Sequence, residues 1–161
     1  MSKDTTGRSP MTHGKHDLVV VTTPEEWDAY HSIRRTELFE ARGRIYDPND
    51  PDEFAATHFP LLLKWSGIGI GTTRLDIHSA DVGIVRLVAI MKSEQGKGHG
   101  RILAVRTEAF ARERGIRKLF VNAAANAVGF YERIGFRPAS WDASELVGWN
   151  SDSVQMAKSL S

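Results

Sequence analysis

The stretch Gln95-Gly96-Lys97-Gly98-His99-Gly100 follows an apolar run that ends at Met91 and precedes a pattern typical of an amphipathic helix. Its three glycines stand at alternate positions, so successive backbone N–H groups can turn toward one point and approach a ligand closely. A helix that begins directly behind them would add its unpaired first-turn donors and the positive end of its dipole. Lys97 and Arg101 place two positive charges at the same turn. The stretch therefore predicts a binding site for a multiply charged anion such as a phosphate group.

The spacing of these residues excludes two common phosphate-binding sequences. A dinucleotide fingerprint G-x-G-x-x-G needs glycine at position 101, where the chain has Arg101, and a P-loop G-x-x-x-x-G-K-[ST] is absent from the sequence. The stretch reads Q-x-x-G-x-G, after the apolar run 85–91. A second pattern follows it, Asn126-Ala-Val-Gly-Phe-Tyr131-Glu-Arg-Ile-Gly-Phe136.

Together the two patterns resemble the GCN5-related N-acetyltransferase (GNAT) family. That family has an acyl-CoA pyrophosphate loop R/Q-x-x-G-x-G/A and, further on, a helix with an asparagine, a small residue and a Phe-Tyr pair. The matching residues run from about 85 to 136, and the element order of the remaining chain fits the fold. The resemblance implies an α/β fold, in which helices flank a mixed, mostly antiparallel central sheet of about six to seven strands. Two neighbouring strands would splay apart to bind acyl-CoA.

The resemblance also assigns roles to residues of this sequence. The glycine loop would bind the pyrophosphate, the strand before it would pair with the pantetheine arm, and Asn126 would hydrogen-bond that arm. Tyr131 stands where the family often has its general acid. The implied cofactor is acetyl-CoA as acyl donor, and the implied cofactor-binding residues are Val88, Ala89, Ile90, Gln95, Gly96, Lys97, Gly98, His99, Gly100, Arg101 and Asn126.

Two interpretations of Tyr131 stay open at this point. A phenol with a pKa of about 10 is protonated at neutral pH, so it can donate a proton as charge develops on the leaving sulfur. Tyr131 is also three residues from both Val128 and Ile134, which is the spacing of a residue that fills the core face of its helix.

The sequence does not identify a general base. Some family members have a glutamate on the fourth strand, six residues before the position of Ile90, and this chain has Ile84 there. The open alternatives are a chain of water molecules or one of four side chains, namely Glu37, Glu40, His58 and Asp76.

Composition narrows the class of protein. The chain of 161 residues has the length of one domain, and its net charge of +1 gives no global field that would attract nucleic acid. It contains no cysteine, which excludes disulfides and thiolate sites, and we predict no metal site. No apolar run reaches the roughly 18 residues of a membrane span. We therefore predict a cytoplasmic protein without membrane or nucleic-acid partners, for which a homodimer is possible.

Residues 1–16 lack periodicity and are predicted to form a flexible tail, ahead of one domain at 17–161. Thr23-Pro24-Glu25-Glu26 predicts a capped helix that starts at Pro24 and stops at Gly43. In the GNAT fold this region flanks the acceptor site, which makes Glu37, Glu40 and Arg42 candidates for substrate contact. The alternative is a solvated helix face. The loop 43–53 is rich in proline and aspartate and could cover an active site.

The remaining patterns predict strands at 18–21, 61–65, 68–77, 82–91, 118–122, 136–141 and 153–159, with helices ending at about 114 and spanning about 127–134. Strand alternation predicts that Ile84, Arg86, Val88 and Ile90 share one face, as do Arg74 and Asp76. Arg86 then either pairs with Asp76 at the edge of the core or lines the acceptor site.

We predict from this an acyl-CoA-dependent N-acyltransferase that transfers acetyl from acetyl-CoA to a primary amine of a small molecule or peptide. The amine would attack the thioester directly, through a tetrahedral intermediate. The alternative from another class is a non-catalytic acyl-CoA sensor or interaction module. Acyl-homoserine-lactone synthesis on a related fold fits less well, because the intact loop and the Phe130-Tyr131 pair match the acetyltransferases better.

Overall fold

The computed structural model describes residues 14–160. The strands are β1 (His16–Val20), β2 (His58–Trp65), β3 (Ile68–Ser79), β4 (Val82–Ile90), β5 (Lys118–Ala123), β6 (Arg137–Pro138) and β7 (Val154–Ser159). The helices are α1 (Pro24–Arg34), α2 (His99–Glu113) and α3 (Val128–Arg133).

All seven strands join one sheet in the order β1-β2-β3-β4-β5-β7-β6. β4 and β5 are parallel, and every other neighbouring pair is antiparallel. Residues of α1, among them Tyr30 and Ile33, pack in one hydrophobic cluster with the sheet. Residues of α2 and α3, among them Ala111 and Tyr131, pack in another. The mixed, mostly antiparallel sheet flanked by helices confirms the fold predicted from the sequence.

The helical region that starts with α1 begins at Pro24 and ends at Gly43, as the sequence predicts, although α1 itself ends at Arg34. The Thr23 hydroxyl accepts a hydrogen bond from the Glu26 N–H at 3.1 Å, and the Glu26 carboxylate accepts one from the Thr23 N–H at 3.1 Å. This reciprocal capping satisfies donors that a helix start leaves unpaired. The chain continues through a π-helical turn (Arg35–Phe39) and a 3-10 turn (Glu40–Arg42), and Gly43 ends the helical region at a φ of 67°.

The predicted alternation along β4 was wrong beyond Arg86. Arg86 joins a charged cluster beneath α1, whereas Val88 and Ile90 pack toward α2 on the opposite face of the sheet. The change of face occurs at Leu87, whose φ of 57° is in the left-handed region. The register between β3 and β4 shifts at the same place, which is a β-bulge. A left-handed residue in a strand has no signal in apolar periodicity, so this change of face was not predictable from the apolar pattern.

The strand predicted at 136–141 is reduced to Arg137–Pro138. Proline has no N–H for a ladder, and the chain then leaves the sheet. The Gln155 side chain holds the departing segment, because its Oε1 accepts from the N–H groups of Trp141 at 2.9 Å and Asp142 at 3.1 Å. The polar segment 139–153 is thereby placed next to the end of β5.

The predicted tail lies mostly outside the described residues, since residues 1–13 are not among them. β1 begins at His16, the last residue of the segment assigned to the tail. None of the helices found within residues 14–160 has the length and apolar character needed to cross a membrane.

Candidate active site

A cleft opens where β4 and β5 diverge. The two strands pair from Val82 opposite Lys118 to Val85 opposite Val121 and no further, although β4 continues to Ile90. The cleft measures about 280 Å³. Its lining residues are Leu38, Arg42, Val85, Arg86, Leu87, Val88, Val121, Asn122, Ala124, Asn126, Ala127, Tyr131, Trp149, Asn150 and Ser153.

The divergence leaves one edge of β4 without a strand partner beyond Val85 among the described residues. Unpaired backbone N–H and C=O groups need hydrogen-bonding partners. An extended ligand with amide groups can provide them by lying along the strand, as added strands do in peptide recognition. The bulge at Leu87 turns β4 just after the last residue that pairs with β5.

The glycine loop follows β4 after a 3-10 turn (Lys92–Glu94). Gly96 and Gly98 have φ values of 76° and 86°, and Gly98 is the N-cap of α2. Only glycine adopts these values without strain. No hydrogen-bond acceptor within residues 14–160 takes the N–H groups of residues 96–101. A Cβ added at Gly96 or Gly98 would meet no atom within 4 Å, so the space above the loop is open to a ligand.

Two contacts place this loop beside the cleft. The Gln95 side chain donates from Nε2 to the Ile90 carbonyl at 2.9 Å, which ties the loop to the end of β4. A Cβ added at Gly100 would lie 3.7 Å from the Phe130 ring, and Phe130 is the neighbour of the cleft residue Tyr131. The loop donors and the cleft therefore belong to one continuous region.

The imidazole ring of His99 is buried. Its Nδ1 lies 2.8 Å from Nε2 of His16, and its Nε2 lies 3.3 Å from a carboxylate oxygen of Glu94. With His99 Nε2–H donating to Glu94, Nδ1 accepts from His16 Nε2–H. Burial and the nearby His99 and Arg106 lower the pKa of His16. This chain of contacts fastens the first turn of α2 to β1 and to the turn that precedes the glycines.

Tyr131 lines the cleft and also packs in the core. Its ring is in edge-on contact with Phe130 and Phe136, at centroid distances of 5.3 and 5.4 Å. Within the described part of the chain, its hydroxyl makes no hydrogen bond. Burial raises the pKa of Tyr131 to about 12, so the phenol stays protonated throughout the neutral range. The two interpretations of this residue are thus compatible.

Arg86 pairs with Asp76, as one of its two interpretations predicts, and it also lines the cleft. Its Nε donates to Asp76 at 2.8 Å, and its two terminal nitrogens donate to Glu145 at 2.7 and 3.1 Å. Asn122 donates to the same Glu145 carboxylate at 3.1 Å. The hydrogen bond from Arg86 lowers the pKa of Glu145 below its ordinary value, against a smaller opposing effect of burial. Glu145 is therefore an ionised carboxylate that holds Arg86 and Asn122, two polar residues of the cleft lining, in place.

The four candidates for the general base lie outside the lining of the cleft. Glu37 accepts a hydrogen bond from the Lys92 N–H at 3.0 Å, which connects the π-helical turn to the start of the glycine-loop segment. Asp76 is bound by Arg74 and Arg86, and His58 lies between Asp76 and the Asp52 carbonyl. None of Glu37, Glu40, His58 and Asp76 lines the cleft.

The other expected cofactor residues are spread around the cleft. Val88 and Asn126 line it. The Ala89 side chain packs in the α1-side cluster, and the Ile90 side chain packs with Leu103 on the α2 side. Lys97 and Arg101 are exposed at the loop, where the Lys97 ammonium is 3.6 Å from Glu94.

Trp149 is the main cleft residue that the sequence reasoning missed. It lies in the polar segment 139–153, packs on Phe39 at a centroid distance of 4.8 Å, and has the Arg44 guanidinium 4.2 Å from its ring centre. A tryptophan among Ser, Asp, Gly and Asn residues is a usable signal, because such a segment offers it no core of its own. Leu38, Asn122, Asn150 and Ser153 had no comparable signal.

The chain belongs to the acetyltransferase (GNAT) domain family, whose sequence profile matches residues 52–160. The curated relatives include a proposed acetyltransferase of Bacillus subtilis (strain 168), 27% identical over 123 residues that cover 74% of this chain and 82% of the relative.

Solved structures of the same fold extend the comparison. The chain is similar to a proposed N-acetyltransferase from Lactobacillus plantarum, with a TM-score of 0.76, 23% identity, and coverage of 91% of this chain and 99% of that one. It is also similar to an aminoglycoside 6'-N-acetyltransferase complexed with coenzyme A, with a TM-score of 0.72, 12% identity, and coverage of 91% and 97%. At these identities the structural likeness concerns the fold.

Proposed function

We propose that this protein transfers an acetyl group from acetyl-CoA to the primary amine of a small molecule or peptide. The observation that carries the proposal is the set of loop N–H groups at residues 96–101, which lack an acceptor in the described chain and lie beside the cleft. Their open surroundings and the α2 N-terminus suit a diphosphate. A cytoplasmic location and a homodimer stay predictions from the sequence and the fold.

The donor would bind in two parts. The diphosphate accepts hydrogen bonds from the loop of Gln95, Gly96, Lys97, Gly98, His99, Gly100 and Arg101, and the two basic side chains there balance its charge. The pantetheine arm lies along the unpaired edge of β4 at Val88, Ala89 and Ile90, and Asn126 completes its hydrogen bonds. This arrangement directs the thioester toward Tyr131, which lines the same cleft.

The reaction is a direct acyl transfer. The amine nitrogen attacks the thioester carbonyl carbon, a C–N bond forms, and the C–S bond breaks as the tetrahedral intermediate collapses. Tyr131 donates its phenolic proton to the leaving sulfur, and the raised pKa of this residue keeps that proton in place beforehand. The amine loses its proton to water, because no Asp, Glu or His of the described chain lines the cleft.

The missing base also favours a second function, that of a non-catalytic acyl-CoA sensor. The two functions differ in one outcome, since a sensor binds acetyl-CoA and never releases CoA thiol. Thiol release with a panel of primary amines therefore discriminates between them. Failure to bind acetyl-CoA at millimolar concentration in a calorimetric titration contradicts both.

Replacement of Tyr131 tests the mechanism. Tyr131→Phe keeps the ring in its packing with Phe130 and Phe136 but removes the proton donor, so turnover should fall by about tenfold or more. Acetyl-CoA affinity measured by calorimetry should stay within about twofold. Tyr46→Phe is the matched control, because it removes a phenol that hydrogen-bonds His31 outside the cleft. Equal turnover of Tyr131→Phe and the wild type would leave Tyr131 with a packing role alone.

A further inference from the structure

The lining of the cleft carries positive charge and no negative charge among the described residues. It includes the guanidinium groups of Arg42 and Arg86, and none of its residues within 14–160 is Asp, Glu or His. The charge of Arg86 is neutralised by its ion pairs with Asp76 and Glu145. Arg42 makes no ion pair with any carboxylate of the described residues. One uncompensated positive charge therefore faces the space in which the acceptor must bind.

Arg42 stands at the edge of an aromatic surface. It ends the 3-10 turn Glu40–Arg42, and its guanidinium carbon lies 5.8 Å from the centre of the Trp149 ring. Trp149 is itself half-buried and fixed by Phe39, so the indole offers a flat apolar face beside the guanidinium. Asn150 and Ser153 add neutral polar groups to the same side of the cleft. The site thus joins an anion-binding group to a surface for a short carbon chain.

We propose that the acceptor is a primary amine that also carries an anionic group, either a carboxylate or a phosphate, which Arg42 binds while Trp149 contacts the carbon chain. The inference rests on the proposed function, since it names the substrate class of that site. A guanidinium binds both anions through paired, charge-assisted hydrogen bonds, so the structure fixes the charge of the group and the experiment decides which anion it is.

The same charge selects against acceptors that carry more than one positive group. The attacking amine must be neutral, and a nearby positive charge disfavours the ammonium form. Acceptors with several ammonium groups are disfavoured for the same reason, because no anion within the described lining compensates them.

The test uses matched pairs of amines with the full chain and acetyl-CoA. The pairs are 4-aminobutyrate with butylamine, phosphoethanolamine with ethanolamine, and several α-amino acids with their amides, and spermidine represents the polycations. CoA-thiol release should be at least about tenfold higher in kcat/KM for the anionic member of a pair. A preference for the anionic member in the carboxylate pairs identifies a carboxylate, and the same preference in the phosphate pair identifies a phosphate.

Variants of Arg42 connect this preference to the side chain. Arg42→Gln should raise KM for the anionic acceptor by about tenfold or more and leave KM for acetyl-CoA within about twofold, whereas Arg42→Lys should restore part of the loss. Arg42→Glu should reverse the preference within each pair. Arg117→Gln is the matched control, because Arg117 is an exposed arginine that makes no ion pair among the described residues and does not line the cleft, and it should change KM for the acceptor by less than about twofold.

Three results would overturn the inference. They are a preference for the neutral or polycationic amine, an unchanged acceptor KM in Arg42→Gln, and a protein that acetylates none of the anionic amines. None of the three removes the proposed function, which fails instead when acetyl-CoA is not bound or no amine is acetylated. Thermal unfolding of each variant checks that the fold is retained, which is expected because Arg42 is exposed.

Discussion

The cluster beneath α1 and the glycine loop before α2 both gather polar groups, and they differ in where those groups find partners. Beneath α1, the Glu53 carboxylate accepts from Arg74 at 2.9 Å and lies 3.4 Å from Arg34, while Arg74 also holds Asp76. In the glycine loop, the N–H groups of residues 96–101 have no acceptor among the described residues. Paired charges belong to the scaffold, and exposed unpaired donors indicate where a ligand binds.

The contrast extends to the few unpaired atoms of the cluster. Nε and Nη1 of Arg34 and one oxygen of Glu53 are buried and make no hydrogen bond within the described chain. The Arg34 guanidinium lies over the Tyr30 ring, 4.8 Å from its centre, so a cation–π contact takes the place of those bonds. No comparable contact covers the loop donors, and the space above Gly96 and Gly98 is open.

The largest effect is expected from removing Glu53. Glu53→Ala leaves Arg34 with no described carboxylate partner and takes one from Arg74, and breaking a buried ion pair from one side costs about 3 kcal/mol or more. The free energy of unfolding, measured with urea, should fall by that amount. Acetyl-CoA affinity of the folded fraction should stay within about twofold, because the cluster and the loop have separate partners.

Two further variants sharpen this result. Glu53→Gln keeps the volume and part of the hydrogen bonding, so its loss should be smaller than that of the alanine variant. Glu113→Ala removes an exposed carboxylate at the end of α2 that has no ion-pair partner in the described chain, and it should change stability by less than about 0.5 kcal/mol. A Glu53→Ala protein as stable as Glu113→Ala would contradict the role assigned to the cluster.

Most of the fold was predictable because its signals are local. The capping box at Thr23, the glycine stops and the apolar runs each depend on a few neighbouring residues, and the structure places the corresponding elements close to the predicted bounds. The reversal of faces along β4 was not predictable in this way. It depends on the left-handed conformation of Leu87, which is set by tertiary contacts and not by the preference of leucine.

The candidate site likewise contains residues that local sequence patterns predict and residues that they do not. The glycine loop and Tyr131 carry compact sequence patterns, and they lie in one region of the structure. Trp149 and Arg42 come together from segments more than a hundred residues apart, through contacts with Phe39 and Arg44 that no local pattern encodes. Acceptor-binding residues of this kind depend on how the segment 139–153 folds back over β5.

An intermediate effect is expected from Gly98→Ala. An L-residue at a φ of 86° is strained by about 1–2 kcal/mol, although a Cβ would meet no atom within 4 Å. The loop should relax by turning N–H groups away from the ligand, and the dissociation constant for acetyl-CoA should rise by about tenfold. Gly115→Ala is the matched control, because Gly115 has a φ of 80° and equally open surroundings but ends α2 at the opposite end from the loop.

The control separates strain from binding. Both variants should lose a similar amount of stability in urea unfolding, and only Gly98→Ala should lose acetyl-CoA affinity in calorimetry. Equal affinities of the two variants would indicate that the loop N–H groups do not bind the diphosphate.

The smallest effect concerns pH, and it involves one histidine in each region. Burial lowers the pKa of His16 beside the loop segment and of His31 in α1, in each case from an ordinary value of 6.5. Between the lowered pKa and 6.5 the unfolded chain binds more protons than the folded chain, so the free energy of unfolding decreases as the pH falls below 6.5. Above 6.5 these two groups contribute no pH dependence. Urea unfolding between pH 5 and 7.5 measures the slope, and stability that is constant or increases toward pH 5 would contradict it.

Acetyl-CoA binding distinguishes the two histidines. Protonation places a positive charge on half-buried His16 near Arg106, which disfavours its contact with His99, the first residue of α2 behind the glycines. Acid should therefore weaken acetyl-CoA binding. His31 hydrogen-bonds Tyr46 and has no contact with the loop. We therefore expect the acid-induced loss of affinity to persist in His31→Gln and to disappear in His16→Gln. If both variants keep the acid-induced loss of affinity, the pH dependence of acetyl-CoA binding comes from another group. The glycine loop and the cluster beneath α1 would then be less independent than their separate hydrogen bonds indicate.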